Sequence, residues 1–232
     1  LSDEQLRKLV VKTPAVLNYS FESNIAPSLA SLQDRLSLSD EQLKKVVVAL
    51  PQVLGLSFES NICPSLAALQ ERLSLSDEHL RKVVVRNPSV LHLSFESNIS
   101  PSLAALQERL SLSDEQLRKV VVRSPTVIGL SFASNIGPKL KFFQEELNLS
   151  DGHLRDRVVS SPSLLGCSLE KRYRPRLKAC RTAGVDDMFV LYRFKLTDIS
   201  FYKSIGAPLS QAQRRAAEKG GGGASAGARP QC

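Results

Sequence analysis

Apolar residues recur along this chain at helical rather than strand spacing. Within 75–111, Leu80, Val83 and Val84 follow i, i+3, i+4, and Leu103, Leu106 and Leu110 form a second stripe. No stretch alternates with the period of a strand. Polar start signals precede the first stripe. Ser76 is a good N-cap, and Asp77 and Glu78 suit the positive end of a helix dipole. Ser39–Gln42 and Ser113–Gln116 have capping-box spacing. His79 and His153 occupy the Gln position of that box, which places them at helix starts. Pro88 ends the first helix, because a residue before proline avoids the helical region. Ser89–Leu93 is too short for a stable helix and reads as a 3₁₀ turn. Pro101 fits either the first turn of the second helix or a kink further in.

This pattern is periodic. The string Leu-Ser-Asp begins at Leu1, Leu38, Leu75, Leu112 and Leu149, always 37 residues apart, and 38–74 matches 75–111 at 30 of 37 positions. The fifth repeat keeps the phase but diverges after Leu165. The expected fold is therefore all-α: a helical-repeat solenoid of about five 37-residue units, each with two α-helices and a short 3₁₀ turn. The array should cover 1–185, with a closing helical segment over 186–206. Residues 207–232 read as a helix-like extension (Ser210–Lys219) and a disordered Gly-rich tail. Val85 lies away from the Leu80–Val84 stripe, yet its equivalents Val11, Val48, Val122 and Val159 are all valine. A helix apolar on two sides has neighbours on two sides, so these five valines are expected to be largely buried between repeats.

Composition narrows the function. At 42% hydrophobic and 23% charged, the chain is globular in type. No apolar run reaches the roughly 18 residues of a membrane span. Four Cys without CxxC spacing argue against a disulfide framework, and three scattered His against a metal site. There is no GxSxG, and Gly220–Gly223 lacks the context of a phosphate loop. No catalytic residue, metal or cofactor is expected, and the chain reads as a non-enzyme.

Net charge is +8, which points to an anionic partner. Successive repeats carry 0, −1, 0, +1 and +5, and 186–232 carries +3. Neutral totals still leave room for a basic stripe. Lys82 and Arg86 are i, i+4 neighbours turned away from the apolar faces, with equivalents at Lys8/Lys12, Lys45/Ala49 and Lys119/Arg123. Stacked helices about 10 Å wide would present them as a row of roughly 50 Å, or on the order of 15 base pairs. The competing reading is a solvated face in which Glu78–Lys82 is an ordinary helix pair. The stronger signal is Lys171, Arg172, Arg174, Arg176 and Lys178, with Arg155, Arg157 and Arg181 nearby. Arg172, Arg174 and Arg176 replace Asn98, Ser100 and Ser102 of the third repeat, so the fold is expected not to need their charge. Tyr173 takes the Ile99 position and is expected in the core. A nuclear-localisation or membrane-surface patch is the rival for these charges.

An apolar residue, three residues, proline, two residues and Leu recur at Val10/Pro14/Leu17, Val47/Pro51/Leu54, Val84/Pro88/Leu91, Val121/Pro125/Ile128 and Val158/Pro162/Leu165. A Ser-Phe-Glu-Ser-Asn-Ile-x-Pro-x-Leu helix follows in the first three repeats. This resembles the mitochondrial transcription termination factor (mTERF) repeat, and Ser168–Arg176 looks like the basic segment in the last repeat of such proteins. The resemblance implies a right-handed run of helices wound into a left-handed solenoid. It also implies a nucleic-acid-binding protein of a mitochondrion or plastid, with duplex DNA on a basic concave face and a role in transcription termination or its regulation. RNA binding in organellar splicing or ribosome assembly is the close variant. A protein-interaction solenoid is the rival class, favoured by the neutral repeats. Membranes are not expected as partners; other organellar gene-expression proteins are. The chain opens at Leu1 without Met and in repeat phase, as a fragment or trimmed chain would.

Overall fold

The structure, a computed structural model, describes residues 1–208; Ser210–Lys219 and the Gly-rich tail lie outside them. Among the described residues the fold is an all-α helical-repeat solenoid without strands. First helices α1 (Asp3–Lys12), α3 (Asp40–Ala49), α5 (Asp77–Arg86), α7 (Asp114–Arg123) and α9 (Asp151–Ser160) alternate with second helices. Those are α2 (Ala26–Leu36), α4 (Cys63–Leu73), α6 (Ser100–Leu110), α8 (Gly137–Leu147) and α10 (Arg174–Thr182). Two short helices follow, α11 (Phe189–Tyr192) and α12 (Asp198–Ser204). The chain divides into two compact parts, Leu1–Ser134 and Asn135 onward.

Local chemistry sets each boundary where the sequence places it. Ser2, Ser39, Ser76, Ser113 and Ser150 are extended N-caps whose hydroxyls accept from the amide three residues on. Gln5, Gln42 and Gln116 return the bond and complete capping boxes. His79 and His153 sit at the same position, at helix starts as expected. Each first helix stops before a proline that opens a 3₁₀ turn, as at Pro88–His92 and Pro125–Gly129.

Pro101 stands in the first turn of the second helix, the first of its two expected placements, but what leads into that turn was not expected. A π turn, Phe95–Ile99, precedes the α-helical part. The amide of Ile99 donates to the Ser94 carbonyl and that of Ser100 to the Phe95 carbonyl, both five residues back. Pro101 then stands as the second residue of α6. It has no N–H for the usual partner four residues back, and its ring would crowd that carbonyl; the wider turn relieves both problems. The same π turn recurs at Phe21–Ile25, Phe58–Ile62, Phe132–Ile136 and Leu169–Tyr173.

Second helices end on a left-handed residue: Ser37, Ser74 and Ser111 at φ 48°, and Asn148 at φ 50°. In each of the first three repeats the following leucine amide closes the turn, as in Leu112 N–H to the Gln107 carbonyl at 2.9 Å. A side chain in this region is strained, and glycine is not. Ser111→Gly should therefore raise stability by up to about 1 kcal/mol, read by urea unfolding.

Leu80, Val83, Val84, Leu103 and Leu106 are all buried, so both predicted stripes face the core. The expectation for Val85 fails. Val11 is 74% exposed and Val48 40%, while Val85, Val122 and Val159 are only half-buried. At about 100° per residue, Val85 stands roughly opposite the arc centred on Leu80 and Val84. Stacking uses the flanks of that arc instead. In the N-terminal part α5 packs on α3 and α7, and also on α2 two repeats before it. Successive 3₁₀ turns of this part stack on one another, and α2 and α4 each lie on the next repeat's π turn.

A polar clamp absent from the sequence reading ties three repeats together. Arg35 donates to Gln70 Oε1 at 2.5 Å and approaches Asp77 Oδ1 at 3.4 Å. Gln70 Nε2 donates to Asp77 at 2.9 Å and to the Leu75 carbonyl at 3.1 Å. Arg72, Gln107 and Asp114 repeat this arrangement one repeat later. The Gln107 bond and then Arg72 hold the Asp114 carboxyl below its ordinary value of 3.8. A lowered carboxylate stabilises the fold above its unfolded pKa and loses that contribution as pH falls through the folded one. Gln107→Ala should lower Tm at pH 7 by about 2–4 °C, and the gap from the parent should narrow below about pH 4. A gap that is constant from pH 7 to pH 3 would remove Asp114 from the clamp.

Candidate nucleic-acid interface

The basic residues of the first helices stand where helical spacing puts them. Lys8, Lys12, Lys45, Lys82, Arg86, Lys119 and Arg123 are all exposed. Since α3, α5 and α7 are packed neighbours, their basic residues occupy equivalent positions on consecutive helices. Two of these lysines hold local acids: Lys8 meets Glu4 at 2.5 Å and Lys82 meets Glu78 at 2.6 Å. Both contacts lower the glutamate's pKa, through the hydrogen bond first and the charge second. These are the ordinary i, i+4 pairs of a solvated face, so in these two repeats half of the positive charge is already matched.

The C-terminal part has a different character. Among the described residues Lys171 and Lys178 form no ion pair; both are exposed, Lys171 on the π turn and Lys178 on α10. Arg174 is exposed, paired with Glu170 at 2.9 Å, and its guanidinium lies 5.3 Å from the Phe142 ring centre. Arg174, Lys178 and Arg181 line one shallow concavity with Phe142, Glu146 and Leu177. Arg181 is committed to structure there. It bonds Asp187 at 2.9 Å and Glu146 at 3.0 Å, contacts that raise its pKa further.

Arg155 and Arg157 are half-buried on α9. Arg155 lies 4.0 Å from Asp156, and Arg157 covers the ring of exposed Tyr192 at 4.2 Å. The repeat pattern does not point to Tyr192, because it lies in the closing segment. Arg172 is half-buried, with Nη1 3.7 Å from the Cys167 sulfur. Cys63, Cys167 and Cys180 are free thiols.

Arg176 requires a correction. It is 1% exposed, not on the surface. Its guanidinium donates to Asp198 Oδ1 at 2.7 Å and to the carbonyls of Arg193, Phe194 and Leu196. The Phe201 ring centre lies 4.4 Å away. The fold does need this charge, because it anchors the closing segment to the fifth repeat. The reason is visible in helical geometry: Tyr173, Arg176, Leu177 and Cys180 share one buried stripe. Tyr173 is in the core, as its slot implies, and donates to the Leu164 carbonyl at 2.7 Å. Lys139 fills the slot of Arg176 one repeat earlier and behaves alike. It is buried, bonds Asn135 Oδ1 and the Leu165 carbonyl, and burial lowers its pKa.

Among the described residues no three His, Cys, Asp or Glu side chains cluster as metal ligands would, and no helix is long and apolar enough to cross a membrane. A comparison with curated proteins finds no match. The mTERF family profile matches residues 1–201, which takes in all five repeats and most of the closing segment, and the chain therefore belongs to the mTERF family.

Proposed function

We propose that this chain binds duplex DNA through the exposed bases of its C-terminal part, without catalysing a reaction, and acts in transcription termination or its regulation in a mitochondrion or plastid. The family is one of helical-repeat nucleic-acid-binding proteins, which supports the general class. The observation that carries the reading is the group Lys171, Arg174 and Lys178. All three are exposed beside one another on one π turn and helix, in a repeat of charge +5. Phosphates are the partner that such a group neutralises without a shaped pocket. The row on α3, α5 and α7 adds weaker contacts: its repeats are close to neutral in charge, and on α5 the Lys82–Glu78 pair must be exchanged for phosphate.

The test is binding of the whole chain to duplex DNA, single-stranded RNA and structured RNA at two salt concentrations. Three to four phosphate contacts on a duplex predict a loss of tens-fold in affinity for a fourfold rise in salt, roughly. Tighter binding to duplex DNA than to either RNA is expected. Preference for RNA would move the assignment to organellar RNA work. Weak, salt-independent binding to all three would favour a protein-interaction solenoid.

A further inference from the structure

Arg174 differs from its two lysine neighbours in how its charge is held. Its Nε donates to Glu170 Oε1 at 2.9 Å, one turn back, and the guanidinium lies over the buried Phe142 ring, 5.3 Å from its centre. One edge and one face of the guanidinium are therefore fixed. Nη1 and Nη2 form no hydrogen bond with the described residues, and the side chain is still 50% exposed. An arginine held in this way presents a planar fork of donors in one orientation.

Charge decides what that fork suits. The Glu170 carboxylate cancels the charge of Arg174 at short range and repels an anion brought up to it. As a neutraliser of phosphate the pair is poor. A neutral group with two adjacent acceptors loses little by that cancellation, because it needs aimed donors rather than net charge. The major-groove edge of guanine, N7 with O6, is such a group, and bidentate arginine is the contact that fits it. Lys171 and Lys178 are the opposite case: both are exposed, with full charge and no ion pair among the described residues.

Spacing agrees with this division. Lys171, Arg174 and Lys178 follow one another at intervals of three and four residues, along one side of the π turn and α10. At about 1.5 Å per residue the two lysines stand roughly 10 Å apart along the axis. The major groove is about 12 Å wide. Two flexible lysines can reach the phosphates on its two sides while the fork between them faces the base edges. Arg174 is also the first residue of α10, at the end by which recognition helices contact base edges.

We propose that Arg174, oriented by Glu170 and Phe142, is the specificity-determining residue of the interface and reads one guanine of duplex DNA in the major groove. Lys171 and Lys178 anchor the phosphates on either side. This rests on the duplex-binding reading above and gives its three cations separate tasks: two set affinity and one sets sequence.

The test selects duplexes from a random-sequence pool with the full chain and then measures individual duplexes. The parent should enrich a guanine at one position. Replacing it by 7-deazaguanine, which lacks the N7 acceptor, should weaken binding about tenfold. Arg174→Lys keeps the charge without the fork, so the guanine preference should disappear while the salt slope stays within about half a unit of the parent's. Glu170→Gln should blur the preference and tighten binding to unselected duplex, because the released guanidinium turns to phosphate. A Glu170→Gln variant with lower Tm but unchanged base preference and salt slope would overturn the positioning role of Glu170. Lys171→Ser with Lys178→Ser should weaken every duplex and keep the preference. A parent that enriches no guanine, or an Arg174→Lys variant that keeps the enrichment, would overturn the proposal and leave duplex binding standing. A parent without salt-dependent duplex binding would overturn the underlying reading as well.

Discussion

Arg176→Met is expected to cost roughly 3 kcal/mol of stability, measured by guanidinium unfolding with helicity as the probe. The side chain fills its space in either residue, so the loss is electrostatic and not a cavity. Arginine satisfies Asp198 and three backbone carbonyls at once, and methionine satisfies none of them. Asp198 is about one-third exposed and regains some water, which limits the penalty. Removing one partner of a pair like this is costly because the other charge stays behind. Arg176→Lys should recover only part, because one ammonium cannot span the fork of contacts made by Nε, Nη1 and Nη2. A loss below about 1 kcal/mol for Arg176→Met would contradict the anchoring role.

Leu106→Ala should cost about 2–5 kcal/mol. Leu106 is fully buried on α6 within the N-terminal part, so truncation leaves a cavity that neighbouring helices cannot close freely. The effect should spread. In a repeat array each unit is supported mainly by its neighbours, so weakening one interface lowers the cooperativity of the whole transition. An unchanged Tm would contradict the assignment of the second-helix stripe to the core.

Helix starts and stops were legible because they depend on neighbours in sequence. Serine caps, capping boxes and the pre-proline breaks each involve groups within a few residues, and periodicity confirmed them repeat by repeat. The π turn was hidden because Ser-Phe-Glu-Ser-Asn-Ile has no distinctive π propensity; only the proline two residues later hints at the need for a wider turn. Val85 misled because repeated identity was read as burial, when its angle on the helix already set it opposite the core arc. Arg176 was misread for the opposite reason. Counted in a run of bases it looked like surface, while its partners lie 17–22 residues away in a segment outside the repeat. The clamp of Arg35, Gln70 and Asp77 spans 42 residues, and its three positions recur in sequence without showing that they meet.

Lys171, Arg174 and Lys178 carry the proposed interface, and Arg176 is excluded from the test because its loss would disturb the fold. The most direct measurement is the slope of log K against log salt for duplex DNA, compared between the parent chain and the variant with all three residues replaced by serine. All three are exposed, and only Arg174 gives up contacts among the described residues, a surface pair with Glu170 and the Phe142 ring, so helicity should be kept and Tm should fall by no more than a few degrees. The account predicts weaker binding to every duplex sequence and a slope flatter by up to about three units, near 0.9 for each phosphate that the variant leaves unneutralised. Identical slopes and affinities for parent and variant would remove these residues from the interface and contradict the account.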